Sequence, residues 1–113
     1  MKSPEISIRI LVVEDFHAET DSIVRELNDA EIVYELRVEQ TEVGVIIALS
    51  EYQPYIVLTP YSLTDTNAVK LLNSAQELGI SAPFILMAFD LSEDIAIDML
   101  AAGMEDYILR STI

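Results

Sequence analysis

Cysteine is absent from the chain, histidine occurs once, glycine three times, and lysine plus arginine only six times in 113 residues. Without cysteine there is no disulfide and no thiolate metal site, a composition that fits a reducing compartment. Six bases stand against twenty acids, for a formal charge of −14. That excess repels nucleic acid and anionic membrane, so neither is an expected partner. The glycines, Gly44, Gly79 and Gly103, are too scattered to form a phosphate-cradling loop. His17 has no cysteine or second histidine at ligand spacing and reads as a surface residue rather than a ligand or general base. Long apolar runs are missing too. The longest purely aliphatic stretch, VIIAL at 45–49, falls well short of the roughly 20 residues that span a bilayer. The N-terminal MKSPEISIR lacks the apolar region of a signal peptide. A soluble, cytoplasmic protein is expected.

What is present is a chain that is 51% apolar, enough to bury one core, and we read 1–113 as a single domain. SIRILVV at 7–13 is β-branched and nearly continuous, the pattern of a strand buried on both faces. From Phe16 the period changes: Phe16, Thr20, Ile23, Val24 and Leu27 share a helical face to about Asn28. VYELRV at 33–38 alternates, as a half-exposed or edge strand does. Thr41 can cap a helix with Glu42 in its first turn and Val45, Ile46 and Leu49 on its apolar face to about Tyr52, although Gly44 weakens it. Pro54 ends that helix and starts a strand at 55–59. Asp65 or Thr66 is the expected cap of a third helix, with Leu71, Leu72, Ala75 and Leu78 inward and Gly79 just past its end. Pro83 precedes a strand from Phe84 to Ala88 or Phe89. Asp90 and Ser92 precede a helix with Glu93 and Asp94 in its first turn, Ile95, Met99 and Leu100 inward, and Gly103 as terminator. A short strand at 106–109 follows.

Strand and helix therefore alternate throughout, which predicts a parallel sheet with helices on both faces. Ligands of such sheets bind at the carboxyl ends of the strands. Those ends are Glu14-Asp15, Thr59-Pro60, Ala88-Phe89-Asp90 and Arg110. Glu14 and Asp15 could hold Mg²⁺ weakly or could favour the positive end of the following helix; both readings stand. A hard octahedral ion wants a further carboxylate or phosphate, and Pro60 has no oxygen on its side chain to offer. Ser62, Thr64, Thr66 and Ser92 lie where backbone capping explains them, since no base is placed to activate a nucleophile. Thr59 could point into the cleft but is also an ordinary strand former. Tyr107, on the last strand, reads as core packing.

Over essentially its whole length the sequence resembles the receiver domain of two-component response regulators. ILVVED at 10–15 is similar to that family's first strand and acidic pair, PYIVLTPYSLTDTNA at 54–68 to its third strand and phosphorylation loop, and GMEDYILRS at 103–111 to its last strand. The resemblance implies a flavodoxin-like three-layer sandwich with a five-stranded sheet in the order 2-1-3-4-5. It also implies a phosphoacceptor aspartate where this chain has Pro60, followed by a proline where it has Thr64 and a glycine where it has Ala68. The hydroxyl residue that senses the phosphoryl falls on Ala88, and the lysine that pairs with it falls on Arg110, whose planar fork is no replacement for a compact ammonium. Glu14, Asp15 and the switch-type aromatic Tyr107 remain in place.

The resemblance thus points to a degenerate, non-enzymatic receiver without a cofactor, acting in phosphorelay signalling through phosphorylation-independent contacts. A histidine kinase, an output domain or a second copy are the expected partners, met through the fourth helix and last strand. Receivers close with a fifth helix, here absent or truncated. The domain is therefore expected to be excised from, or N-terminal in, a longer protein, or to have an uncovered sheet face shielded by a second copy. Two rival readings are a small anionic-ligand sensor using Arg110 and helix N-termini, and a receiver phosphorylated on Thr59 by a separate kinase.

Overall fold

The computed structural model describes residues 7–14, 17–88 and 93–109, with side chains described for 7–14, 21–87 and 97–105. Its elements are β1 (Ile8–Val13), α1 (His17–Asp29), β2 (Tyr34–Glu39), α2 (Glu42–Glu51), β3 (Ile56–Thr59), α3 (Ala68–Glu77), β4 (Phe84–Ala88), α4 (Glu93–Ala102) and β5 (Asp106–Leu109). The strands pair in parallel in the order β2-β1-β3-β4-β5. This is the expected flavodoxin-like α/β sandwich.

Strand alternation sorts the aliphatic residues into two cores. Leu11, Val13, Val57, Phe84 and Leu86 face α2, α3 and α4, where they meet Val45, Leu49, Leu71 and Met99. Ile10, Val12, Leu58 and Met87 face the other way, toward Ile23 and Leu27 of α1. Both sides of β1 are buried, and so its sequence has no polar residue between Ile10 and Val13. At the edge, β2 sets Arg37 and Glu39 on one side in an ion pair of 2.8 Å. Charges on an edge strand discourage pairing with another chain.

Helix ends show where local sequence decided and where it did not. The hydroxyl of Thr41 accepts from Gly44 N at 3.0 Å and caps α2, as expected. Gly44 is tolerated because a Cβ there would run into the Glu39 carboxylate that holds Arg37. For α3 the expected cap is wrong: Asn67, not Asp65 or Thr66, occupies the position, its side chain accepting from Lys70 N at 3.0 Å. Asp65 instead reaches across to accept from Glu42 N at 3.2 Å, serving the first turn of α2. Thr66 is buried with its hydroxyl unpartnered. Gly79 and Gly103 end their helices at φ +74° and +107°, the left-handed conformation that favours glycine.

Two residues expected inside lie outside. Leu78 is 49% and Leu100 50% exposed. Leu78 lies one residue past the end of α3 as its C-cap, where its amide still bonds to Ser74 O and the amide of Gly79 turns back to Gln76 O. Leu100 follows Met99, which alone of the two points to the sheet.

Candidate functional site

The carboxyl ends of β1, β3, β4 and β5 form one edge of the sheet. Val12 pairs with Leu58, and continuing that register by two residues sets Glu14 opposite Pro60. The two share the alternation of Val12 and Leu58. Glu14 is 2% exposed, and its amide extends the ladder to Glu39 O at 3.1 Å. Pro60 is half-buried. Of the other expected site residues, Ala88 ends β4 and pairs with Leu109, and Tyr107 sits on β5 opposite Leu86. Asp15 and Arg110 lie outside the described residues, as do Phe89, Asp90 and Ser92.

Thr59 does not point into the cleft. It shares the alternation of Val57, is 0% exposed, and its hydroxyl donates to Pro60 O at 2.9 Å. A separate kinase would find no accessible oxygen there. The reading in which Thr59 is the phosphorylated residue is therefore set aside.

The loop from β3 to α3 is closed on itself. Leu63 N donates to Thr66 O at 2.9 Å, Ala68 N to Tyr61 O at 2.8 Å, and Ser62 bridges to Asn67. The bond from Glu42 N to Asp65 then ties this loop to the start of α2. Sequence reasoning missed both roles. Thr66 and Asn67 are adjacent and both can cap, but asparagine is the better N-cap, a signal that favoured Asn67 over Thr66.

The chemistry open to these strand ends is narrow. Among the described residues no group of three histidines or carboxylates is gathered closely enough to hold a metal ion. A Mg²⁺ site wants about six oxygens, several from carboxylate or phosphate, and Pro60 contributes none from its side chain. The one described hydroxyl on β3, that of Thr59, is sealed.

Sheet order and helix placement are those of the response-regulator receiver fold. The chain is similar to the BeF3-activated N-terminal receiver domain of Klebsiella pneumoniae RstA, with 23% identity and a TM-score of 0.79 over 93% of this chain and 87% of that one. Against the Vibrio cholerae chemotaxis protein CheY4 the identity is 11% and the TM-score 0.79, covering 93% and 88%. The non-phosphorylated HemR receiver domain of Leptospira biflexa gives 17% and 0.76, covering 92% and 82%. At these identities the shared property is the fold. No protein-family model and no curated protein matches the sequence. Among the described residues no helix is long and apolar enough to cross a membrane.

Proposed function

We propose that this chain is a receiver-fold signalling module of the response-regulator type that has lost the phosphoryl switch and works through phosphorylation-independent protein contacts. One observation carries the reading: Pro60 follows the last residue of β3, in register with the buried Glu14, at the position which the receiver resemblance equates with the phosphoacceptor. The proline side chain offers no oxygen to phosphorylate and no ligand to a cation. Ala88 at the end of β4 removes the hydroxyl that would answer a phosphoryl. A scaffold kept without its chemistry is suited to presenting surfaces.

The surface we favour is α4 with the neighbouring β5. Ile97 is 57% exposed, and with Leu100 and Ala101 it forms an i, i+3, i+4 apolar strip facing solvent. Such a strip suits a kinase or output domain better than an anionic ligand. The anion-sensor reading gains nothing from a strand edge whose described charge is the buried carboxylate of Glu14.

Incubation with acetyl phosphate and Mg²⁺, followed by intact-mass measurement, tests the proposal. We expect the mass to stay unchanged. A stable added phosphoryl on a strand-end residue would sink it.

A further inference from the structure

The C-terminal ends of α2 and α3 break the same local rule side by side. A helix C-terminus carries partial negative charge and favours a lysine or arginine in its last turn. Neither helix has a base there, and each ends instead on an exposed acid, Glu51 of α2 and Glu77 of α3. Between the two ends lies a surface cavity of about 500 Å³, with Ser50 and Gln53 on the α2 side and Leu78, Ile80 and Ser81 on the α3 side. Among the described residues its lining includes no charged side chain. Arg9 is engaged nearby: its Nε donates to Gln53 O at 2.9 Å and its guanidinium stacks over the Tyr55 ring, 5.0 Å from the centroid.

The composition of α2 adds a second anomaly at the same place. Between Glu42 and Glu51 the helix has no charged residue, and Ser50 is its one polar side chain. A helix that is apolar on every side belongs in an interior. Val45, Ala48 and Leu49 do face the core, yet Val43 is 66% and Ile47 43% exposed. Residues three and four apart are neighbours on a helix surface, so Val43, Ile47 and the exposed Ser50 form one row away from the sheet. That row runs down to the cavity, since Ser50 is part of the lining.

We propose that this surface docks a helix of a partner protein, with two aliphatic residues one turn apart against Val43 and Ile47 and a lysine one turn further on in the cavity. From Val43 to Ser50 α2 rises about 10.5 Å, and a helix packed beside it rises at the same rate. The lysine stem would lie along Leu78 and Ile80, and its ammonium would donate to the hydroxyls of Ser50 and Ser81 and the amide oxygen of Gln53. There it meets two negative helix ends and the flanking charges of Glu51 and Glu77, so the base that the sequence leaves out of both last turns comes from outside. A free amine would fill the cavity but leave the Val43 and Ile47 row in water. A second copy of this chain fits poorly: it carries a further −14, and a two-fold contact along α2 would set the glutamates at its ends against those of the copy. The inference is independent of the phosphoryl switch and of the α4 surface, because neither Pro60, Glu14 nor any residue of α4 lines the cavity.

The test uses the 113-residue chain and fluorescence anisotropy with labelled helical peptides of about 18 residues, roughly five turns. The first has a central Lys-x2-Leu-x3-Leu-x2-Lys, which presents the same spacing in either direction; the second has norleucine for both lysines, and the third has the first composition with its leucines scattered. The first should bind, and the other two at least about tenfold more weakly. Glu51→Lys with Glu77→Lys should weaken the first peptide about fivefold to tenfold while raising the melting temperature, because each new lysine suits its own helix end. Glu26→Lys with Asp29→Lys makes the same change of charge on the exposed side of α1 and should leave the affinity within about twofold. Amide signals of Ser50, Gln53, Gly79 and Ser81 should move on binding. No binding at millimolar peptide, equal binding of the norleucine peptide, an equal loss in the α1 pair, or signal changes confined to α4 would overturn the proposal. Self-association at micromolar concentration with those same amide shifts would assign the surface to a second copy and overturn it too.

Discussion

Replacing Pro60 by aspartate tests the strand-end geometry directly, with Pro60→Asn as its control. Both substitutions lose the proline's restraint on the unfolded chain, so their difference isolates the charge. The register sets position 60 opposite Glu14 on the neighbouring strand, about 5 Å away by strand spacing. Two carboxylates at that distance repel by about 3 kcal/mol at an effective dielectric of about 20. With a urea slope of about 1.5 kcal/mol/M, the aspartate variant should unfold about 2 M earlier than the asparagine variant at pH 7. The repulsion holds a proton more tightly in the folded state than in the unfolded chain. Protonation therefore favours the fold, and the deficit should close as pH falls to about 4 and open as pH rises through the elevated pKa. Adding Mg²⁺ should restore part of it by mass action. Even then, acetyl phosphate should leave the amide spectrum of α4 and β5 unchanged, because Ala88 has no hydroxyl to follow a phosphoryl. Equal urea midpoints for the two variants at pH 7 would refute the facing of Glu14 and position 60. Phosphorylation of the aspartate variant together with moved α4 and β5 signals would refute the reading of the pocket as broken at several places.

Crossed caps give a second check. Asn67→Ala should cost about 1 kcal/mol and speed hydrogen exchange at the Lys70 amide, whereas Asp65→Ala should cost less and speed exchange at Glu42, in a different helix. Burial, followed by the charge of Glu35, pushes the pKa of Tyr52 up. The wild type should therefore lose stability above about pH 10, where the unfolded chain ionises first, and Tyr52→Phe should lessen that loss in an alkaline melting series. Gly103→Ala should lower the melting temperature more than Gly79→Ala. Both require a left-handed φ, but only at Gly103 would the new Cβ press on a neighbour, Gln76 Nε2 at 3.0 Å.

Much of the fold was legible because its determinants are local or periodic. The strand runs, the Thr41 cap and the glycines after α3 and α4 each act over a few residues. The misreadings have the same physical source. Asp65 looked like a cap for the helix that follows it, but a carboxylate serves whichever N-terminus the fold brings near, and here that is α2. Leu78 and Leu100 fit their helical periods, yet the first lies past the end of its helix and the second beside the buried Met99, and both stay in solvent. Thr59 could not be oriented until the alternation of β3 was fixed against its neighbours.

The sequence by itself determined the alternation of strand and helix, the charge that repels nucleic acid, and the residue types at the strand ends, including a proline with no side-chain oxygen to offer. Those are properties of single residues and short periods. Only the tertiary structure decided that the β1–β3 register runs Glu14 toward Pro60, that Thr59 is sealed, and that α2, α3 and α4 share one face of the sheet while α1 packs on the other. Register and handedness relate segments far apart in the chain, and no local pattern encodes them.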